Sequence, residues 1–182
     1  MSRLISVQLK PKDGFTEPVS LQEAKDWMRI DFSDDDSVIT SQITASRQKC
    51  EKYLGLCLVE TEVKALYKNS GGDLIELAYG PIETDGDGLP VIDGIPDGAE
   101  IKGFGNQIWI SSTDGELTLS YTSKFDPIPD WAKDAILNDV AYFYENRGDM
   151  DIKYVAQVNQ PIAPQTMAIL YPHRTTLHEF FL

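Results

Sequence analysis

The chain has 182 residues, of which 42% are hydrophobic and 25% charged, an ordinary globular composition that excludes disorder along most of its length. Its 16 basic and 29 acidic residues give a net charge of −13, which disfavours direct DNA binding because an acidic surface repels phosphate. The sequence has no apolar run of roughly 20 residues, and Met1–Lys10 lacks the pattern of a secretory signal, so it predicts a cytoplasmic product without a membrane segment.

The first predicted helix follows Glu17-Pro18-Val19. Ser20 can cap its first turn, and Glu23, three residues later, completes a capping box. The buried stripe of this helix is predicted to contain Leu21, Ala24, Trp27 and Met28.

Three consecutive aspartates, Asp34–Asp36, precede a second and longer helix, for which Ser33 is a cap candidate. Acidic residues in a first turn suit the positive end of the helix dipole, so we interpret the aspartates as a local cap rather than a metal cluster. Gly55 can end this helix in a left-handed conformation. Its apolar positions recur at helical intervals: Ile39, Ile43, Cys50, Tyr53 and Leu54.

From about Leu58 to Tyr121 the hydrophobic pattern alternates, which predicts a small antiparallel sheet. Turns are predicted at Gly105-Asn106 and Asp114-Gly115, and a loop over Thr84–Gly98. The candidate strands are Val59–Tyr67, Asp73–Ala78, Glu100–Phe104, Gln107–Ile110 and Glu116–Tyr121.

A third helix is predicted to begin with Asp130 as its cap and to end at Arg147-Gly148. Pro164 fits the first turn of a short fourth helix, which Pro172 ends. The predicted fold is therefore α+β. A helical core of about four helices, 1–57 with 123–182, carries an inserted β subdomain, 58–122.

The loop residues Glu83, Asp85, Asp87 and Gly88 match the first, third, fifth and sixth positions of a calcium-binding loop. Gly94 stands at the twelfth position, where a bidentate glutamate is required. The sequence therefore favours an acidic loop of the sheet over a calcium site.

Histidines and cysteines do not indicate a metal or catalytic centre. His173 and His178 are five residues apart and miss the i, i+4 pairing of two helical ligands. Cys50 and Cys57 are expected to be free thiols, Cys50 in a packing role. No phosphate loop or nucleophile elbow occurs in the sequence, so no enzyme activity, cofactor or metal is predicted. Four aromatic residues are assigned to helix packing: Trp27, Trp131, Phe143 and Tyr144.

The segment Glu17–Lys25, with Met28–Asp31 and the Asp-rich break after it, resembles the opening of the phage head-tail connector, or adaptor, family. Glu51, Tyr53 and Gly55 match the end of that family's second helix. Tyr144–Arg147 and Leu170–Arg174 resemble its later motifs, whereas Met28 stands where leucine is usual.

The resemblance implies a non-enzymatic subunit of a homo-oligomeric ring, expected to be twelve-fold. Such a ring joins the portal protein to a stopper or tail-completion protein, and DNA passes through it without specific binding. The expected location is the head-tail interface of the virion, after assembly in the host bacterial cytoplasm.

The C-terminal arm carries apolar side chains that so short a segment cannot bury alone, and the resemblance implies that the partner covering them is the portal. Its candidate contact residues are Tyr171, His173, Arg174, Leu177, Phe180, Phe181 and Leu182. Folding of the arm onto its own subunit is the alternative. Two other functions also stay open: an acidic nucleic-acid mimic or regulator that binds a host DNA-binding protein, and a small hydrolase that uses unrecognised carboxylates.

Overall fold

The computed structural model describes residues 3–69, 74–104, 107–111, 115–146 and 162–174. Contacts divide the chain into two compact units. The sheet unit comprises the residues up to Thr16 and Gly55–Asp126, and the helical unit comprises Glu17–Leu54 and Pro127–Arg174. The predicted α+β class is confirmed.

The helical unit contains four described helices, in agreement with the predicted number. They are α1 Leu21–Met28, α2 Asp36–Leu54, α3 Asp130–Glu145 and α4 Pro164–Leu170, and a 3-10 turn, Tyr171–His173, follows α4. The buried apolar side chains of these helices include Ala24, Ile39, Ile43, Cys50, Leu54, Ala132, Ala135, Ile136, Val140 and Leu170.

Several helix ends follow the predicted chemistry. The capping box of α1 is confirmed: the main-chain N–H of Glu23 donates to Ser20 Oγ at 3.2 Å, and that of Ser20 donates to Glu23 Oε2 at 2.7 Å. Gly55, with φ +68°, follows the last residue of α2. Pro164 occupies the first turn of α4.

The predicted cap of α3 is wrong. Pro129, in an extended conformation, is the N-cap residue, and Asp130 is the first residue of the helix. No side chain caps this end, so the acidic charge of Asp130 acts in the first turn, near the positive end of the dipole. The predicted helix stop at Arg147-Gly148 lies outside the described residues.

Trp27 is not a packing residue, contrary to prediction, because its side chain is 49% exposed. The inward positions of α1 are held by Ala24 and by the aliphatic part of Lys25, whose ammonium reaches Asp36 Oδ1 at 2.7 Å. A charged residue thus occupies an inward position that the hydrophobic pattern did not predict to be buried.

The described residues of the sheet unit form two antiparallel sheets, where the sequence predicted one. The four-stranded sheet has the order β1-β2-β7-β4, and the three-stranded sheet has the order β3-β6-β5. The strands are β1 Arg3–Pro11, β2 Thr61–Asn69, β3 Leu74–Glu76, β4 Ile92–Asp93, β5 Ile101–Phe104, β6 Gln107–Ser111 and β7 Gly115–Ser123.

All five predicted strands occur, with shifted ends, and two further strands were not predicted. The pairing of β1 with β2 shifts register between Leu4 and Ser6, and this bulge breaks the apolar alternation by which a strand is recognised. β4, inside the predicted loop Thr84–Gly98, pairs only two residues with β7, too few to show a period. The turn at Gly105-Asn106 lies outside the described residues.

The core of the sheet unit lies on the inward face of β2 and β7. Tyr67 and Tyr121 extend from this face to the main chain of Ala78: the hydroxyl of Tyr67 accepts its N–H at 3.0 Å, and the hydroxyl of Tyr121 donates to its carbonyl. The surrounding buried side chains include Cys57, Val63, Ala65, Ile75, Leu77, Ile82, Ile108, Ile110 and Leu119. Among the described residues, no helix is long and apolar enough to cross a membrane.

Candidate interaction sites

The described part of the predicted portal-binding segment is the turn Tyr171–Arg174. The ring of His173 stacks on that of Trp131, with centroids 4.1 Å apart and planes at 7°, and the guanidinium of Arg174 lies 5.3 Å from the ring of Tyr53. Tyr171 is 71% exposed. His173 and Arg174 therefore contact their own helical unit, whereas Tyr171 is accessible. Leu177, Phe180, Phe181, Leu182 and the second histidine, His178, lie outside the described residues.

Two aspartates at the start of α2 join helices rather than acting only as a local cap. The hydroxyl of Tyr144, on α3, donates to Asp35 Oδ2 at 2.5 Å, and Lys25, on α1, donates to Asp36 Oδ1 at 2.7 Å. The interpretation of these aspartates as purely local was therefore incomplete. Within the described ranges, no group of three or more His, Cys, Asp or Glu side chains could hold a metal ion.

A buried arginine, which the sequence analysis did not single out, joins two of the motif residues. Arg47 Nε donates to Glu17 Oε2 at 2.7 Å and its NH1 donates to Glu51 Oε2 at 2.6 Å, while the arginine side chain is only 2% exposed. Burial alone lowers the pKa of Arg47, but the hydrogen bonds and charges of the two carboxylates raise it overall, so the guanidinium stays charged. Thr44 Oγ1 also donates to Glu17, at 2.9 Å.

The sequence contained a signal for this site. Arg47 stands four residues after Ile43 and three before Cys50, on the apolar stripe of α2, where a charge must find a buried partner. Glu17 and Glu51, which belong to the motifs of the connector resemblance, are those partners. The motif glutamates are thus explained by a structural ion-pair network.

A second buried charge lies on α3. Asp139 is fully buried, accepts the main-chain N–H of Ala163 at 2.9 Å and pairs with Lys49 Nζ at 3.5 Å. Lys49 Nζ also lies 3.7 Å from the centroid of the Phe143 ring. This arrangement joins α2, α3 and the residue preceding α4.

Both cysteines are buried thiols that are not joined in a disulfide, as predicted. The predicted packing role of Cys50 is confirmed, since this residue is fully buried. Burial, with the nearby charge of Asp139, raises the pKa of Cys50 to about 12, which keeps the thiol protonated and unreactive near neutral pH.

The acidic loop of the sheet unit is an ordered hairpin. Asp85 Oδ1 accepts the main-chain N–H groups of Asp87 and Leu89, each at 2.9 Å. Val91 N donates to the carbonyl of Glu83 at 2.9 Å and closes the hairpin before β4. The Asp85 carboxylate therefore already stabilises the turn.

Large apolar side chains are exposed on both units. Three of them, Trp27, Phe32 and Val38, fall within twelve residues of the helical unit. The sheet unit exposes Ile5, Leu9, Phe15, Leu74, Leu89, Val91 and Ile101. Single exposed apolar residues are ordinary, but clusters of them at a polar rim are typical of protein contact surfaces.

Solved structures with a similar fold come from gene transfer agent particles. A chain in "Neck of empty GTA particle computed with C6 symmetry" has a TM-score of 0.62 and 17% identity, covering 93% of this chain and 96% of that one. A chain in "Virion of native gene transfer agent (GTA) particle" has a TM-score of 0.64 and 18% identity, with the same coverage. The protein therefore shares the fold of these two chains. No curated protein matches the sequence.

The family model described as "Phage gp6-like head-tail connector protein" matches residues 18–77. This segment contains the α1 capping box and the buried Arg47 with its partner Glu51. The resemblance to the head-tail connector family read from the sequence is thereby confirmed over these residues.

Proposed function

We propose that this protein forms a closed ring at the head-tail interface of a phage or phage-like particle, assembled in the host cytoplasm. The ring joins a portal protein to a stopper or tail-completion protein and lets DNA pass through its channel. The observation that carries the proposal is the connector match over residues 18–77, in a chain whose fold is that of subunits in gene transfer agent particles.

The expected ring contains twelve copies. The similar gene transfer agent neck was computed with C6 symmetry, and six-fold symmetry is contained in twelve-fold symmetry. Repeated subunits in such a ring meet through a heterologous interface, in which one face of each copy contacts a different face of the next.

The acidic composition suits a channel for DNA. With a net charge of −13 per copy, a ring repels the phosphate backbone and does not retain the genome during packaging or ejection. This proposal includes no catalytic step. In support, the buried charged side chains of Arg47, Asp139 and Lys25 are engaged in ion pairs within the helical unit.

The test is to mix the purified protein with its purified portal and to measure particle mass and symmetry by cryo-electron microscopy. A ring of connector density on the portal, with a whole number of copies, is expected. Absence of any high-order complex over a range of salt concentrations contradicts the proposal. Salt-sensitive binding to a host DNA-binding protein instead of the portal would favour the acidic-mimic function.

We further propose that the C-terminal arm attaches the ring to the portal. Arg174, the last described residue, lies beside Tyr53 of the helical unit, and Tyr171, three residues before it, is exposed. Deleting residues 175–182 should abolish portal attachment and leave the melting temperature of the free subunit nearly unchanged. A much lower melting temperature, or normal attachment, rejects the arm as the portal contact.

A further inference from the structure

The two edges of the four-stranded sheet carry opposite charges. β1, at one edge, has two basic residues and no acidic residue, whereas Glu83–Asp93, at the other edge, has four acidic residues and no basic one. Both edges belong to the sheet unit, three strand spacings or about 15 Å apart in the hydrogen-bonding direction. The charge separation is therefore a property of a single folded unit.

Each edge also exposes two large apolar side chains beside its charges. Ile5 and Leu9 of β1 are 46% and 42% exposed, and Leu89 and Val91 of the acidic hairpin are 61% and 49% exposed. We name Arg3, Ile5, Leu9 and Lys10 the basic edge. We name Asp87, Leu89, Val91 and Asp93 the acidic edge.

The two edges are available for contact in the described part of the chain. No described strand pairs with the outer side of β1. Lys10 Nζ lies 3.7 Å from Glu62 Oε2, and both side chains are mostly exposed. Because exposed ion pairs contribute little to stability, Lys10 can exchange Glu62 for another partner. The acidic edge is already ordered, because the Asp85 carboxylate accepts the hydrogen bonds of the turn. Leu89 is therefore held in an exposed position before any partner binds.

We propose that the basic edge of one copy docks on the acidic edge of the next copy. This inference rests on the proposed ring. The partner that covers each edge is a second copy of the chain, because the two edges are complementary in two ways. Apolar residues of one edge can cover apolar residues of the other, and the charged rims have opposite sign. Two basic edges, or two acidic edges, repel each other. The pairing is therefore heterologous, as a ring requires.

The contact is made by side chains rather than by a continuous sheet. The bulge at Ile5 interrupts the regular ladder of β1, and Pro11 has no N–H to donate. On the other side, β4 is only two residues long. These features limit main-chain pairing between copies and leave the apolar and charged side chains to determine the contact.

The test is a charge exchange between the two edges. One variant carries Arg3→Glu and Lys10→Glu, a second carries Asp87→Lys and Asp93→Lys, and a third carries all four substitutions. Asp85 is left unchanged because its carboxylate holds the turn. Ring formation is measured on purified portal by electron microscopy and sedimentation, and folding is checked by circular dichroism and melting temperature.

Each two-residue variant should lose most of its rings while staying folded, and the four-residue variant should recover them, because every contact then again joins opposite charges. The matched control, Lys52→Glu with Lys102→Glu, changes the net charge by the same amount as the first variant at two exposed positions that belong to neither edge, and should assemble normally. Raising the salt concentration should reduce ring formation by the wild-type chain.

Two results overturn this inference without touching the proposed function: folded two-residue variants that form normal rings, or a folded four-residue variant that forms none. If rings persist but the tail-side protein no longer binds, the edges serve that partner instead of a second copy. If the wild-type chain forms no ring on the portal, the proposed function itself fails. Leu89→Gln, at the most exposed apolar position of the two edges, should weaken ring formation without a change in charge.

Discussion

The carboxylate of Asp139 accepts the main-chain N–H of Ala163, 24 residues later in the chain, in a site with no exposure to solvent. The second oxygen of this carboxylate faces Lys49 Nζ at 3.5 Å. One side chain thus fixes the start of α4 to α3 and balances a charge from α2.

Removing this carboxylate should destabilise the helical unit strongly. Asp139→Ala leaves a buried N–H and an ammonium without their acceptor, so we expect a loss of about 2–4 kcal/mol in the free energy of unfolding, measured by urea denaturation. Asp139→Asn keeps an acceptor for Ala163 and should lose less. Asp134→Ala, at an exposed position of the same helix, is the matched control and should change stability by less than about 0.5 kcal/mol. An equal effect of the two alanine substitutions would contradict the role of Asp139.

Arg47 should be sensitive to substitution because it is the shared partner of two carboxylates. Arg47→Met leaves Glu17 and Glu51 facing each other with little solvent, and we expect a loss of about 2–4 kcal/mol. Lys52→Met, at an exposed position of the same helix, should have little effect. The triple variant Glu17→Gln, Arg47→Met, Glu51→Gln should recover part of the loss, since no unpaired charge remains. If the triple variant is no more stable than Arg47→Met, the network does not act through charge.

The capping box of α1 should contribute a pH-dependent term. Ser20→Ala should lose about 1 kcal/mol, whereas Ser41→Ala, on the exposed side of α2, should lose little. The main-chain N–H and the hydroxyl of Ser20 both donate to Glu23 and hold the pKa of that carboxyl below its usual value of 4.5. A lowered folded-state pKa means that the contribution is present above pH 4.5 and is lost as the pH falls through the lower folded value.

The measurement is the unfolding free energy of wild type and Glu23→Gln from neutral pH down to acid. The difference between the two proteins should be constant above pH 4.5 and should shrink as the pH falls below that value. Because Glu23 is largely exposed, the effect is small and screened by salt. A difference that is independent of pH would exclude the charge of Glu23 as its cause.

Gly94 should tolerate no side chain. Its φ is +88°, and a Cβ atom there would lie far inside van der Waals contact with the carbonyl oxygen of Thr118 on β7. Gly94→Ala should therefore destabilise the sheet unit by at least about 1–3 kcal/mol. Gly86→Ala is the control, because an added Cβ meets nothing within 4 Å at that position. Equal melting temperatures of the two variants would show that the strand edge can move away from residue 94.

The same close approach explains why the calcium-loop pattern stops where it does. The template requires glutamate at the position of Gly94, and the packing of β4 on β7 permits only glycine there. The sequence indicated that the pattern was incomplete. The structure supplies the steric reason.

The helices could be predicted because the residues that begin or end them act locally. The Ser20 capping box, Gly55 and Pro164 each affect only the backbone within a few residues. Long-range contacts made other features hard to predict. Arg47 depends on Glu17, which is 30 residues away, and Asp35 depends on Tyr144, which is 109 residues away. Neither of these two contacts is marked by a repeating pattern in the sequence.

Strands, too, were predicted where the local pattern is regular and were missed where it is interrupted. β2 shows a clean alternation of buried and exposed residues and was predicted, whereas the bulge at Ile5 hid β1. The acidic and basic edges became visible only when the strand order placed β1 and β4 at opposite sides of one sheet. Net charge alone indicated an acidic protein and gave no hint of a basic edge.

The two tyrosine hydroxyls on Ala78 give the sheet unit an optical reporter of its own. Burial raises the pKa of Tyr67 from 10.0 to about 12 and also raises the pKa of Tyr121 well above its ordinary value, so both phenols stay protonated while the sheet unit is folded. After a jump to a pH between 10.0 and about 12, the slow growth of tyrosinate absorbance times the opening of this unit. In a Cys57→Ala background, labelling of Cys50 with a thiol reagent times the opening of the helical unit. The two measurements, made on one sample, distinguish a subunit that opens as a whole from one whose two units open separately.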